Sequence, residues 1–309
     1  SNGDKLSTST LILISLEKST AFSLLESKLP NMKRAVLRIL RNASETFFTF
    51  VGLATVQTAP PNEKKRKKRK REIEIDKLNT EISQVKKRIR IKILYEDEHI
   101  LVVNKQAGLL SVATDKMEPD TLHSRSLDYL REENEKAWIY IVHRLDRETS
   151  GCLVLAKSPE VRDMLQRQFK DRTVERIYHA VVLGKPPNKS GLVTSRIQET
   201  RDKRVRLVSK GQRAGKEAIT NWSIEQTAAI HSLIRVKIDT GRRAQIRLHM
   251  SEIGYPVAGD TRYGQGKASV NRLCLHASEL DFDHPNGGRI RVKSEIPAKL
   301  LSELNRKSF

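Results

Sequence analysis

Short apolar segments, separated by turns and by stretches with helical patterning, dominate the chain from residue 91 onward. Each has the length of a β-strand, and the helical stretches between them follow no regular βαβ repeat. This interleaving predicts an α+β domain over residues 91–309, in which helices flank a mixed sheet. The strand-like segments are Ile91–Tyr95, Ile100–Lys105, Trp138–Leu145, Cys152–Lys157, Tyr178–Leu183 and Leu233–Ile238.

Two helices are predicted from their capping residues. Ser158–Glu160 places a serine N-cap before a first-turn proline and an acid, and apolar residues at helical spacing follow as far as Phe169. Thr240 is positioned to cap a second helix over Arg242–Ile253, which Gly254 would end. The first helix falls between predicted strands and the second follows the last of them, as expected where helices flank a sheet.

The charge of the chain indicates a polyanionic partner. It carries 58 lysines and arginines against 37 aspartates and glutamates, a formal net charge of +21. Such an excess favours nucleic acid first and an anionic membrane surface second. The longest uncharged stretch near the start, 46–62, is too short for a spanning helix and contains two prolines. We therefore predict no transmembrane segment and no membrane partner.

Cysteine usage indicates the redox compartment. Cys152 and Cys274 are far apart in sequence, and neither belongs to a C-x-x-C pair. This predicts neither a disulfide framework nor a thiolate metal site. A reducing compartment fits this pattern, and we expect a cytoplasmic protein.

The first ninety residues differ in residue pattern and charge from the rest of the chain. Apolar residues at helical spacing over Phe22–Arg41, interrupted by a proline, predict two short helices within a small N-terminal module at 1–59. At 60–90 we expect a basic linker, with eight consecutive basic residues at Lys64–Arg71, and a connecting amphipathic helix over Leu78–Ile89. Three roles remain open for the basic run: added phosphate contacts, a nuclear localisation signal, or only a solvated spacer.

A nonapeptide between two predicted strands is the strongest candidate for a chemical site. Residues His143–Gly151 read His-Arg-Leu-Asp-Arg-Glu-Thr-Ser-Gly. Taken alone, an aspartate near Thr-Ser-Gly is more often a turn residue, whose side chain bonds its own backbone, than a catalytic residue. A turn at this point would place Asp146 at the edge of the sheet.

This nonapeptide resembles the signature of the RluA family of RNA pseudouridine synthases, and other segments resemble the family's remaining motifs in the same order. Similarity extends over residues 91–309, and Phe22–Arg41 partly resembles the alpha-L RNA-binding module that often precedes such domains. Ala244 departs from the pattern, since many members carry histidine there, and this bears mainly on RNA contacts. The matching segments are Ile93–Gly108, Glu175–Gly184, Thr240–Met250, Gly254–Gly264, Arg272–Ala277 and Phe282–Pro285.

The resemblance implies the pseudouridine synthase fold, with a mixed, mostly antiparallel sheet flanked by helices and a central basic cleft. It also implies an isomerase that converts specific uridines of structured RNA to pseudouridine. The reaction breaks the N1 glycosidic bond, turns the uracil and joins C5 to the ribose without net redox change, so no cofactor is needed. We expect a monomer acting on large-subunit ribosomal RNA, with transfer RNA as the second choice.

By the same resemblance, three residues carry the chemistry. Asp146 is the nucleophile, and attack on C1′, addition to the base and deprotonation of the ribose all remain open to it. Arg247 would pair with Asp146 and lower its pKa. Tyr178 would stack on the target base and accept the C5 proton. Considered alone, Arg247 could equally form a surface ion pair or bind phosphate, and Tyr178 could be an ordinary strand tyrosine.

Two further residues are predicted to contact RNA. The target uridine must leave its stack to reach Asp146. Arg144 is our candidate to fill the gap that the uridine leaves. Leu275 would pack beneath the everted base, although a leucine there would equally suit the core.

The histidines do not form a metal-binding pattern. The spacings of His143, His249 and His276 fit neither H-E-x-x-H nor the signature of zinc deaminases. We therefore predict no metal site. A second hypothesis remains alongside the isomerase, namely a non-catalytic RNA-binding or ribosome-assembly factor that keeps the same scaffold.

Overall fold

The computed structural model describes residues 91–202, 204–209, 211–264 and 271–306, together with Arg69, Glu72, Ile73 and Ile75–Lys77, which are helical. The N-terminal module predicted at 1–59 lies outside the described residues, as does most of the linker and helix predicted at 60–90. The chain divides into two units, 1–88 with 131–135, and 89–130 with 136–309. The second unit contains all the candidate site residues.

The described part of this unit contains eleven strands in one sheet and four helices. The strands are β1 Lys92–Glu96, β2 Ile100–Lys105, β3 Tyr140–Ile141, β4 Ser150–Ala156, β5 Glu175–Leu183, β6 Ser190–Glu199, β7 Val205–Leu207, β8 Lys216–Thr227, β9 His231–Ile238, β10 Leu275–Asp283 and β11 Arg289–Lys293. The helices are α1 Leu122–Arg131, α2 Pro159–Asp171, α3 Gln245–Glu252 and α4 Ala298–Leu304.

The sheet is mixed and mostly antiparallel, as predicted. Its order is β1-β2-β4-β10-β5-β9-β8-β6-β7, with β11 on β10 and β3 on β4. The pairing of β4 with β10 is parallel, and the other pairings are antiparallel. The strands β4, β10 and β5 are therefore neighbours at the centre, although they come from distant parts of the chain.

Gly151 explains how β4 and β10 approach each other. Its φ of +119° lies in a region that favours glycine, and a Cβ atom there would lie 2.1 Å from the carbonyl oxygen of Ala277. Ala277 also pairs with Tyr178 on β5. The end of the nonapeptide His143–Gly151 thus packs directly against β10, the strand that pairs with Tyr178 on β5.

Two element predictions were only partly right. The strand expected over Trp138–Leu145 shortens to β3 at Tyr140–Ile141. After β3 the segment is attached through side chains: Nε2 of His143 accepts the amide of Val154 on β4, and the hydroxyl of Ser111 accepts the amide of Leu145, both at 3.1 Å. The helix expected from Arg242 begins three residues later, after Ala244. In α2, Ser158 is the N-cap as predicted and accepts the amide of Val161.

Apolar side chains fill both faces of the central strands. Ile100–Val103 on β2 and Leu153–Leu155 on β4 are completely buried, as expected for strands covered on both sides. Among the described residues, no helix is both long and apolar enough to span a membrane.

Candidate active site

Asp146 lies on the loop that joins β3 to β4, and it is partly exposed. The loop turns immediately after it, since the amide of Thr149 donates to the carbonyl of Asp146 at 3.1 Å. Just before it, Leu145 exchanges two hydrogen bonds with the hydroxyl of buried Ser111, at 2.9 and 3.1 Å. These bonds hold both sides of Asp146, so its carboxylate starts from a fixed backbone.

Lys105 connects this loop to the segment that follows β2. This completely buried side chain ends β2 and donates from Nζ to the carbonyls of Gln106, Leu109 and Arg147, at 3.1, 2.7 and 3.0 Å. Burial lowers the pKa of Lys105 to about 7, against the opposing charges of Glu148 and Asp146. A lysine at the end of a largely apolar strand is the signal in the sequence by which Lys105 could have been found.

A backbone amide holds the carboxylate itself. The amide of Ala244 donates to Oδ2 of Asp146 at 3.2 Å. Ala244 is in the left-handed conformation, with φ 54° and ψ 21°, and it immediately precedes α3. The amides at a helix N-terminus carry partial positive charge, so this position suits an ionised carboxylate.

Arg247 lies one turn into α3, and its main partner is not Asp146. Its Nε and Nη2 donate to the two carboxylate oxygens of Asp260, both at 2.7 Å. Its Nη1 faces Glu148 at 3.9 Å. Within the described residues, these are its ion pairs. The direct pairing with Asp146 that the resemblance implied is thus replaced by a fork onto Asp260.

Asp146 still acts on Arg247 through its charge. Burial disfavours the guanidinium, but Asp260, and to a smaller extent Asp146 and Glu148, raise the pKa of Arg247 above its usual value. Sequence reasoning did not identify Asp260 as a site residue, although it lies within the matching segment Gly254–Gly264. Its buried carboxylate is visible only in three dimensions.

Tyr178 is a buried residue near the middle of β5, with 8% of its surface exposed. Burial raises the pKa of its phenol to about 12, Arg176 opposes the shift, and the charge of Asp146 adds to it. Its hydroxyl is therefore protonated at neutral pH. Because Asp146 shifts the pKa of both Tyr178 and Arg247, the three predicted catalytic residues share one electrostatic environment.

The two predicted RNA contacts have opposite environments. Arg144 is exposed, two residues before Asp146, where it can reach a ligand in solvent. Leu275 is buried at the start of β10, opposite Ala180, and belongs to the same apolar cluster as Tyr178. A position beneath an aromatic platform is compatible with this burial, and so is an ordinary place in the core.

Exposed basic side chains border the site. Arg147 follows Asp146 directly and is about half exposed. Arg243 precedes the amide that binds Asp146, and it pairs with Glu199 on β6 at 2.6 Å. Together with Arg144 they place three arginines at the rim of the site, although Arg147 also pairs with Glu118 at 3.6 Å, as Arg243 does with Glu199. Arginine side chains at such a rim suit contacts to phosphates.

The three histidines considered as possible metal ligands each bind a different partner. His143 stacks on Phe169 with ring centroids 4.4 Å apart, and His276 bonds Ser150 through Nδ1 at 2.9 Å. His249 bonds Thr220 through Nδ1 and Ser195 through Nε2, both at 2.9 Å. Across the residues that the structure describes, no cluster of histidine, cysteine or carboxylate side chains is arranged to hold a metal ion.

Comparison with known proteins places this site in a family context. The family model described as RNA pseudouridylate synthase matches residues 99–252. Ribosomal large subunit pseudouridine synthase D of Pseudomonas aeruginosa is 36% identical over 228 residues, covering 69% of this chain and 70% of the relative. The tRNA pseudouridine synthase C of Pectobacterium carotovorum is 35% identical over 220 residues, covering 64% of this chain and 57% of the relative.

A solved structure shows the same fold. Human RNA pseudouridylate synthase domain containing 1 superposes with a TM-score of 0.57 at 25% identity, covering 67% of this chain and 84% of that chain. Asp146, Tyr178 and Arg247 lie within the matched range.

Proposed function

This chain belongs to the RluA-type RNA pseudouridylate synthases, and we propose that it isomerises specific uridines of structured RNA to pseudouridine with Asp146 as its nucleophile. One observation supports this most strongly. Oδ2 of Asp146 is held by the amide of Ala244 at the start of α3, on a fixed but partly exposed loop, with Arg247 and Tyr178 in its field. The carboxylate of Asp146 thus has a fixed backbone and a hydrogen-bonded Oδ2, and its charge influences both Arg247 and Tyr178.

The chemistry follows from that arrangement. In the step we propose, Asp146 forms a bond to C1′ of the everted uridine as the C1′–N1 bond breaks. The uracil turns, C5 attacks C1′ and the carboxylate is released. The proton on C5 is then lost and N1 gains one, so no atom or electron is added overall.

The surrounding residues have separate roles in this proposal. The ring of Tyr178 stacks on the uracil. Its hydroxyl, which is protonated at neutral pH, takes the C5 proton as it gives its own proton to the uracil, so the phenol is neutral before and after the step. Arg247 provides positive charge near Asp146, with Leu275 packed beneath the base. Arg144, exposed beside the loop, occupies the gap that the uridine leaves in the RNA stack.

We propose large-subunit ribosomal RNA as the substrate, with transfer RNA second. Support comes from relatives, some named for ribosomal RNA and one for transfer RNA. Pseudouridine mapping of total RNA with and without the gene decides between the two. Loss of sites confined to transfer RNA would reverse our order.

We further propose a cytoplasmic monomer. Both cysteines are buried and free, and burial raises the pKa of each thiol to about 12, so neither is a reactive thiolate. This is compatible with a reducing compartment. Sedimentation of the purified chain checks the oligomeric state.

Tritium release from RNA labelled at C5 of uridine tests the reaction. We expect release by the wild type and none above background by Asp146→Asn or Asp146→Ala, while both variants still bind RNA. Asp163→Ala, which removes an exposed aspartate on α2, is the matched control and should release label normally. Binding without release by the wild type would instead favour the non-catalytic RNA-binding factor.

A further inference from the structure

Arg176 is a buried cation near the start of β5, with 8% of its surface exposed. Its Cζ lies 5.6 Å from the ring centroid of Phe169, and Gly241 leaves room for Nη1, which would lie 2.7 Å from a Cβ atom there. Its Nη2 donates to the backbone carbonyls of Ile238 and Asp239 at 3.4 and 3.2 Å, and its buried Nε has no hydrogen-bond partner. Among the residues that the structure describes, no carboxylate forms an ion pair with Arg176. Its charge therefore carries a desolvation penalty that no such pair offsets.

The surroundings of Arg176 do little to favour its charge in the resting protein. Burial is the largest influence and lowers the pKa of the guanidinium, and the nearby cations Arg172 and Arg242 lower this pKa further. The charge of Asp239 opposes the shift, and Tyr178 does so when its phenol is ionised. While the phenol keeps its proton, only part of this favourable electrostatic interaction is present.

Tyr178 lies on the same face of β5 as Arg176. Side chains two residues apart on a strand share a face and are separated by about 7 Å along it. β5 keeps an unbroken register with β9 over Ile177–Leu183, so no bulge turns Tyr178 away from that face. Burial raises the pKa of the phenol to about 12, and the charge of Arg176 opposes this rise. The phenol oxygen is thus the group on this face that gains most from the cation.

We propose that Arg176 is a positioning residue for the isomerisation, whose buried positive charge acts through Tyr178 by stabilising negative charge on the phenol oxygen while protons are exchanged. This inference rests on the proposed function. The phenol O–H bond breaks as its proton goes to the uracil, and an O–H bond forms again with the proton that leaves C5, so no electron is gained or lost. Between the two transfers the oxygen is negative. A cation that is already in place stabilises this state without rearrangement.

A direct test measures the phenol itself. A fluorinated tyrosine with a more acidic phenol is placed at position 178 of the full chain, and fluorine NMR follows its titration. We expect the pKa of this phenol to be about one unit higher in Arg176→Gln than with arginine in place, a tenfold change in acidity. Arg176→Lys keeps the positive charge and should show less than about half of this shift. Equal pKa values with arginine and with glutamine would overturn the inference.

Tritium release in single turnovers provides a second test, with Arg176→Gln, Tyr178→Phe and the combination. Arg176→Gln should lower the rate of release by roughly tenfold, with RNA affinity within about twofold of the wild type. In the Tyr178→Phe background the same change should lower the rate by less than about twofold, because no phenol oxygen remains for the charge to act on. A role confined to packing would instead give the same loss in both backgrounds, and that result would contradict the inference.

Arg235→Gln is the matched control. Arg235 on β9 pairs with His179, so it lies on the opposite face of the sheet from Tyr178. Its loss should leave the phenol pKa unchanged and the rate of release within about twofold of the wild type. If the glutamine variant of Arg176 is unstable, Arg176→Met replaces it, because methionine is neutral and suits a buried site.

The same measurements distinguish the two ways of failing. A wild type that releases no tritium, although its phenol pKa depends on Arg176, would sink the proposed function and leave the electrostatic coupling standing. Normal release by a wild type whose phenol pKa does not depend on Arg176 would sink the present inference alone.

Discussion

The carboxylate of Asp146 lies 3.2 Å, from Oδ2 to nitrogen, from the amide of Ala244, a residue 98 positions later in the chain. The contact joins the loop after β3 to the start of α3. It depends on the backbone, so any residue at position 244 could supply it. Its geometry, however, depends on a left-handed conformation that few side chains tolerate.

Substitutions at Ala244 should distinguish the contribution of its backbone amide from that of its side chain. Glycine at φ 54° relieves about 1 kcal/mol of strain and loses a buried methyl of similar value, so Ala244→Gly should keep its stability and turnover. Valine is β-branched and adds volume to a packed cluster, which should displace the amide and lower kcat by about tenfold. Steady-state tritium release compares them. Equal turnover by both variants would remove this amide from the mechanism.

The roles of the ring and of the hydroxyl of Tyr178 can be tested by separate substitutions. Tyr178→Ala removes the ring and should weaken RNA binding by about 1–3 kcal/mol, the usual contribution of base stacking. Tyr178→Phe keeps the ring, so RNA affinity should be retained, while tritium release should slow by tenfold or more because the hydroxyl that exchanges its own proton for the C5 proton is lost. Binding and single-turnover release measure the two effects. Wild-type release by the phenylalanine variant would leave Tyr178 with stacking alone.

Arg144 should act on binding more than on chemistry. If it fills the stack vacated by the uridine, Arg144→Ala shifts an equilibrium that precedes the reaction, so kcat/KM should fall while kcat at saturating RNA stays within about threefold. Arg162→Ala, which removes a partly exposed arginine paired with Asp163, is the control for loss of one positive charge. The same small change in both variants would assign Arg144 to general electrostatics.

His249 should make the folded state sensitive to acid. Burial lowers the pKa of this completely buried imidazole to about 4, against about 6.5 in an unfolded chain. Between these pH values the unfolded chain binds the additional proton, so the free energy of unfolding should fall as the pH drops from 6.5 toward 4. The loss attributable to His249 is at most about 3 kcal/mol.

Urea titrations at pH 7 and pH 5 check this directly. His249→Gln should lose part of the stability difference between the two pH values. It should retain the rest, because burial also lowers the pKa of His143 to about 3 and that of His276 to about 4. A variant with the full wild-type pH dependence would contradict the assignment to His249.

Local patterns predicted the elements whose signals are contained within a few residues. The cap at Ser158 and the strand Ile100–Lys105 appear where the sequence placed them, because their determinants are adjacent in the chain. The predicted strand Trp138–Leu145 was too long. Its apolar alternation continues to Leu145, but the second half is attached through side chains: the imidazole of His143 accepts the amide of Val154, and the hydroxyl of Ser111 accepts the amide of Leu145.

The sequence by itself determined that Asp146, Tyr178 and Arg247 are the residues to examine, since motif identity and order are written along the chain. Only the tertiary structure decided their partners. Arg247 forks onto Asp260 and Asp146 takes the amide of Ala244, while Lys105 reaches the carbonyl of Arg147 across 42 positions. Such pairs depend on which strands become neighbours in the sheet and on which polar groups burial leaves without water, and neither condition is local.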